Sequence, residues 1–147
     1  MLANGGRRYF EKIYPSFPVH DRNYLRDSET QHALMCDVYA ISLVYWDSSP
    51  FLKKYPRPDT SYAWNLAMTA LQEEFLSPGL STLYSALIDL NGRPSLWLTG
   101  NLINSGRTVA LAHSLGLNRN PRKWKMSKQD QDVRIRLWWG IVIHDRW

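Results

Sequence analysis

Residues 106–147, GRTVALAHSLGLNRNPRKWKMSKQDQDVRIRLWWGIVIHDRW, spell the end of one helix, a basic loop and a second helix. Gly106, Val109, Ala110, Ala112, His113 and Leu117 recur at helical spacing, and the small residues among them allow a neighbour to approach closely. Gly116 is a natural terminator, because the residue just past a helix often needs a positive φ, and Pro121 blocks easy continuation. Ser127, followed three residues later by Asp130, can cap the next helix, whose positive N-terminal end suits Asp130 and Asp132. Val133, Leu137, Trp138, Ile141, Val142 and Asp145 form the expected inward stripe of that helix.

Upstream, the same signals recur. Residues 7–14 are expected to form a short helix ended by Pro15, and Ser16-Phe17-Pro18-Val19 is held extended by its prolines. Ser28-Glu29-Thr30-Gln31 has the form of a capping box. The helix it opens runs through Ala33, Leu34, Cys36, Val38, Ile41 and Val44, apolar nearly all round except at Asp37, which predicts a central position. A third helix is capped by Asp59, Thr60 or Ser61 and carries Trp64, Ala67, Met68, Leu71 and Phe75. A fourth opens at Ser81 and stops at Asn91-Gly92-Arg93-Pro94, and a fifth runs over 96–115 behind Ser95. No strand alternation extends beyond a few residues, and no repeat period is visible. The expected fold is all-α, with about six helices in antiparallel hairpins.

Composition sets bounds on function. The chain has 147 residues, 44% of them hydrophobic, which suffices for one domain with a true core. A net charge of +5 permits an acidic partner. The single cysteine, Cys36, excludes an internal disulfide and suits a reducing compartment. The longest apolar runs are far short of a membrane span, and the first ten residues lack the apolar core of a signal peptide. A soluble intracellular chain, without membrane association, is expected.

No motif specifies catalysis. The four histidines have no partner at metal-ligand spacing, there is no Cys-x-x-Cys, and no phosphate-binding glycine loop or nucleophile elbow occurs. The expectation is a non-enzyme without a cofactor of its own. Two features carry candidate contacts. Asp145, inward by helical phase, requires a cation, and Arg107 or Arg136 are the candidates, Arg107 because Gly106 beside it would let helices approach. Such a pair would fix helix register or sense a ligand. Arg119, Arg122, Lys123, Lys125 and Lys128 form a basic run with Trp124 inside it. That run reads as a solvated loop with an anchored Trp, or as a surface for single-stranded nucleic acid.

The order Gly-Arg at 106–107, Ala-His-Ser-Leu-Gly-Leu-Asn-Arg at 112–119, Arg-Ile-Arg-Leu-Trp-Trp-Gly at 134–140 and Asp-Arg-Trp at 145–147 resembles the middle homology region of fungal zinc-cluster transcription factors. The likeness is strongest over 97–147 and extends to 17–19 and 35–46. It implies that residues 1–147 form the regulatory domain of such a factor and that the domain continues past residue 147. It also implies a nuclear protein that controls RNA polymerase II transcription. DNA would be contacted by a six-cysteine zinc module outside this chain, and regulation would use a small effector, inhibitory contacts or transcriptional partner proteins. The rival reading is a helical interaction scaffold with no DNA-binding parent.

Overall fold

A computed structural model describes Arg7 and residues 9–18, 32–93 and 98–146, with only the backbone of Leu98. The chain is all-α, and no strand occurs among the described residues. Among the described residues, a short helical turn at Tyr9–Ile13 precedes five α-helices: α1 (His32–Ser42), α2 (Thr60–Glu74), α3 (Leu80–Gly92), α4 (Leu98–Ser114) and α5 (Lys128–Arg146).

Local chemistry explains the ends. Asp59 caps α2, its carboxylate accepting from the backbone N–H groups of Ser61 at 2.8 Å and Tyr62 at 3.3 Å. Ser127 accepts from the Asp130 N–H at 3.1 Å and donates to the Asp130 carboxylate at 2.6 Å, closing the start of α5. At the other end of α4, Gly116 has φ +72°. Its N–H reaches the His113 carbonyl, and the Leu117 N–H reaches that of Ala112 at 2.9 Å. Those two bonds satisfy carbonyls the helix would otherwise leave open, and they turn Leu117 into the core. The expected capping residues Ser28–Gln31 and Ser95, and Val19, lie outside the described residues.

Contacts between helices fix their directions. Ser105 on α4 faces His144 on α5, and Leu115 faces Arg134, so these helices run antiparallel. The first turn of α1 receives the Glu74 carboxylate from the last turn of α2 on the Ala33 N–H at 3.1 Å. A carboxylate at a helix N-terminus satisfies an open donor and matches the helix dipole. At the far end of that pair, a Cβ on Gly92 would sit 2.5 Å from Ile41 Cδ1 and 3.1 Å from Trp64, so glycine is what lets α3 close on α1 and α2.

The helix at the centre is α3, not α1. It packs against all four other helices, and every residue from Ser81 to Asp89 is buried. α1 is largely buried as well, but it touches α2, α3 and the N-terminal turn. Hydrophobicity alone points to α1 because α3 carries Ser81, Thr82, Ser85 and Asp89 among its apolar residues. Buried polar groups of that kind are tolerated where partners are built around them.

Candidate regulatory site

The partners around α3 form a polar network inside the bundle. Asp89, 1% exposed, accepts from Arg93 Nε at 2.6 Å and from Arg93 Nη2 at 3.2 Å. Arg93 also donates to Asn101 at 3.0 Å, and Asn104 donates to the second Asp89 oxygen at 3.4 Å. A fork of two N–H groups on one carboxylate fixes both orientation and charge. Sequence reasoning passes over this network, because Asn91-Gly92-Arg93-Pro94 looks like a stop. The available signal was the acid-to-base spacing of four residues at Asp89 and Arg93.

One turn and more before Asp89, the same interior holds a second carboxyl. Asp37 on α1 is fully buried, and neither of its oxygens has a hydrogen-bond donor in bonding geometry. Burial pushes its pKa well above the usual carboxylate range. The Ser85 hydroxyl and the Arg93 guanidinium oppose that shift, while Asp89 and Glu74 add to it. The Glu74 carboxyl is itself raised by burial, against the pull of its bond to Ala33.

The expected Asp145 pair does not form. Asp145 is exposed, and the cation beside it is its chain neighbour Arg146 at 3.6 Å. Arg107 instead donates to Gln72 on α2 at 2.6 Å and lies over the Phe75 ring, 4.0 Å from its centroid. Burial lowers its pKa, and Asp89 partly offsets that. Arg136 is half-buried on α5, its Nε without a hydrogen-bond partner. The physical reason is phase. The face of α5 that enters the core carries Leu137, Gly140 and Ile141, so Asp145 falls about a quarter of a turn away from it. Gly106 faces open space and allows no close approach. Combining Asp145→Ala with Arg107→Ala should therefore give additive changes, within about 0.5 kcal/mol, in a denaturant double-mutant cycle.

Arg119, Arg122, Lys123, Lys125 and Lys128 are all exposed, around the helical turn Pro121–Lys123. Trp124 is half-buried within that loop, under the Arg134 guanidinium at 5.4 Å. Between α4 and α5 runs a groove lined by Val109, His113, Trp138, Val142 and Asp145, with His113 edge-on to Trp138 at 5.3 Å. Leu111 and Leu137 are buried, as the spacing predicts, but Trp138 and Val142 are only half-buried at this groove. No helix of the described residues is long and apolar enough to cross a membrane.

The geometry is that of packed helices with outward surfaces, and comparison with known proteins gives it a family. Residues 7–147 match the model of the fungal specific transcription factor domain. The chain belongs to this family. Among its relatives, the transcriptional activator protein DAL81 of Saccharomyces cerevisiae is 32% identical over 146 residues, which covers 95% of this chain and 15% of that protein. The uncharacterized transcriptional regulatory protein C25B8.11 of Schizosaccharomyces pombe is 29% identical over 147 residues, again 95% of this chain and 22% of that protein. Transcription factor macR of Penicillium terrestre is 33% identical over 88 residues, covering 58% of this chain and 10% of that protein. The chain thus spans less than a quarter of the length of these relatives. No solved structure matches it. The zinc that the resemblance implies does not fit here, since Cys36 is the single cysteine and no cluster of metal-ligating side chains occurs among the described residues.

Proposed function

We propose that this chain is the non-catalytic regulatory domain of a nuclear zinc-cluster transcription factor controlling RNA polymerase II transcription, and that it acts through inhibitory contacts with transcriptional partner proteins or with other parts of the same factor. The observation that carries the reading is the family match, which runs through the whole helical bundle from residue 7 to residue 147. DNA would be contacted by a zinc module outside residues 1–147.

Two features favour contacts over effector sensing. The groove at His113 and Trp138 has a volume of about 240 Å³, and an open cleft lined by Ile13, Phe17, Ile41 and Tyr45 has about 300 Å³, so both lie at or below the small end of the roughly 300–1,000 Å³ typical of small-molecule sites. The basic loop, in contrast, offers Arg119, Arg122, Lys123, Lys125 and Lys128 to solvent together, a surface suited to an acidic segment. Inserting this chain between an unrelated DNA-binding module and an acidic activation segment should lower reporter output several-fold. Lys123→Glu with Lys125→Glu should restore it, because both side chains are exposed and their loss leaves the core intact. Reporter output indifferent to the inserted chain would refute the regulatory reading. Repression that survives the charge reversal would move the contact off the loop.

A further inference from the structure

Ser-Pro occurs at Ser49-Pro50 and at Ser77-Pro78, and the fold treats the two in opposite ways. Ser49 is 5% exposed, and its hydroxyl accepts from the Leu52 N–H at 3.3 Å. Ser77 lies in the loop between α2 and α3, with Leu76 87% exposed before it and Pro78 exposed after it. Its N–H is held by the Glu74 carbonyl at 3.1 Å, a turn bond at a helix end, where fraying is easy. A residue before proline is pushed toward extended backbone, the form in which a kinase cleft takes its substrate. Proline also lacks an N–H. Proline-directed protein kinases select it after a serine because their pocket leaves the N–H of any other residue unpaired.

A cation stands beside that loop. Arg107 reaches from α4 to the end of α2, where it donates to Gln72 at 2.6 Å and covers the Phe75 ring at 4.0 Å. Gln72 is a neutral amide, and the Nε and Nη2 groups of Arg107 have no hydrogen-bond partner. Ser77 follows Phe75 by two residues, so their Cα atoms lie within about 7 Å of each other. A phosphate on Ser77 would bring a charge of about −1.5 to −2 and three acceptor oxygens to this guanidinium. The fork of N–H groups on an arginine matches such an anion. The two helix ends oppose each other here. Negative charge is disfavoured at the end of α2, beside exposed Glu73, and favoured at the start of α3. Arg107 is then the group that decides.

We propose that Ser77 is a modification site for a proline-directed protein kinase and that Arg107 receives the phosphate placed there. The Ser77 oxygen forms its bond to the γ-phosphorus of ATP as the bond from that phosphorus to the bridging oxygen breaks. The hydroxyl proton passes to the base of the kinase, and ADP leaves. Paired with Arg107, the phosphoserine ties the α2–α3 loop to α4 and turns an uncharged stretch of surface at 75–79 into an anionic one.

Incubating the folded 147-residue chain with a mitogen-activated protein kinase and ATP tests the site. Mass spectrometry should place phosphate on Ser77 and none on Ser49. Ser77→Ala should abolish that modification, and Pro78→Ala should slow it about tenfold or more, since an unpaired N–H then enters the kinase pocket. A folded chain left unmodified at Ser77, or modified as fast in Pro78→Ala, would overturn the proposal. Phosphorus NMR titration of the modified chain tests the receptor. A guanidinium beside the phosphate favours its dianion, so the second pKa should fall below that of the same chain unfolded in urea. Arg107→Gln should remove the difference, and Arg107→Lys should keep part of it, because the charge stays while the fork is lost. Circular dichroism establishes that each variant stays folded. A pKa indifferent to Arg107→Gln would overturn the docking, and so would an unlowered value in the parent, which needs no variant to fold.

Discussion

Replacing Arg93 by alanine is expected to destabilise the fold by about 3–5 kcal/mol, read from urea or guanidinium unfolding. The reason is the carboxylate it leaves behind. Asp89 is 1% exposed, and Arg93 supplies both of its closest donors, at 2.6 and 3.2 Å. Asn104, at 3.4 Å, is too long a contact to compensate a buried charge. The loss therefore reflects an uncompensated ion more than the worth of the pair itself. Asp89→Asn in the Arg93→Ala background should recover a large part of the stability, since it removes the charge but keeps the shape. A double variant as unstable as Arg93→Ala alone would assign the loss to packing, and an Arg93→Ala protein as stable as the parent would mean that the network is not formed. Arg93 also favours the charged form of Asp37, so its removal should raise the Asp37 pKa further.

Why the sequence disclosed the helices but not this network follows from the range of the signals. Asp59, Ser127 and Gly116 act on backbone groups within a few residues, so their chemistry can be recognised in a short window. The fold class follows from them together with the apolar spacing. The network at Asp89 joins residues from α3, the turn after it and α4, and only the packed hairpin brings Asn101 and Asn104 to Arg93 and Asp89. The phase of α5 was ambiguous for a different reason. Its second half is apolar on nearly every side, from Leu137, Trp138 and Trp139 through Ile141, Val142 and Ile143. A stripe drawn through Val133, Leu137 and Ile141 matches the core side, but one drawn on through Trp138, Val142 and Asp145 is rotated toward the α4 groove. The Asp145 expectation failed with that rotation. Asp37, in contrast, stood out in the sequence as the one acid on an otherwise apolar helix, and the structure buries it completely.

Asp37→Asn is expected to stabilise the protein above neutral pH and to remove much of the pH dependence of its stability. Burial makes the folded-state pKa of Asp37 higher than the unfolded value of about 3.9, so the folded chain binds more protons than the unfolded one between the two. Stability must then fall as pH rises from the unfolded pKa through the folded pKa, and the full penalty applies above both. Below the unfolded pKa the aspartic acid and the asparagine are both neutral, and the two proteins should differ little. Above the folded pKa the gain should be on the order of 1–3 kcal/mol, the scale of one unmatched buried polar group, and greater to the extent that the charge is retained. His144 works in the opposite direction. Burial lowers its pKa, so its neutral form is favoured by folding and stability is lost as pH falls from the unfolded value near 6.5 through the folded pKa. Because both proteins carry His144, the difference between their stabilities isolates Asp37 at each pH. Denaturant unfolding at pH 4 to 9 should show that difference growing from near zero to a plateau on the alkaline side. A constant difference across the range would mean that the Asp37 carboxyl titrates alike in both states and that burial does not govern it.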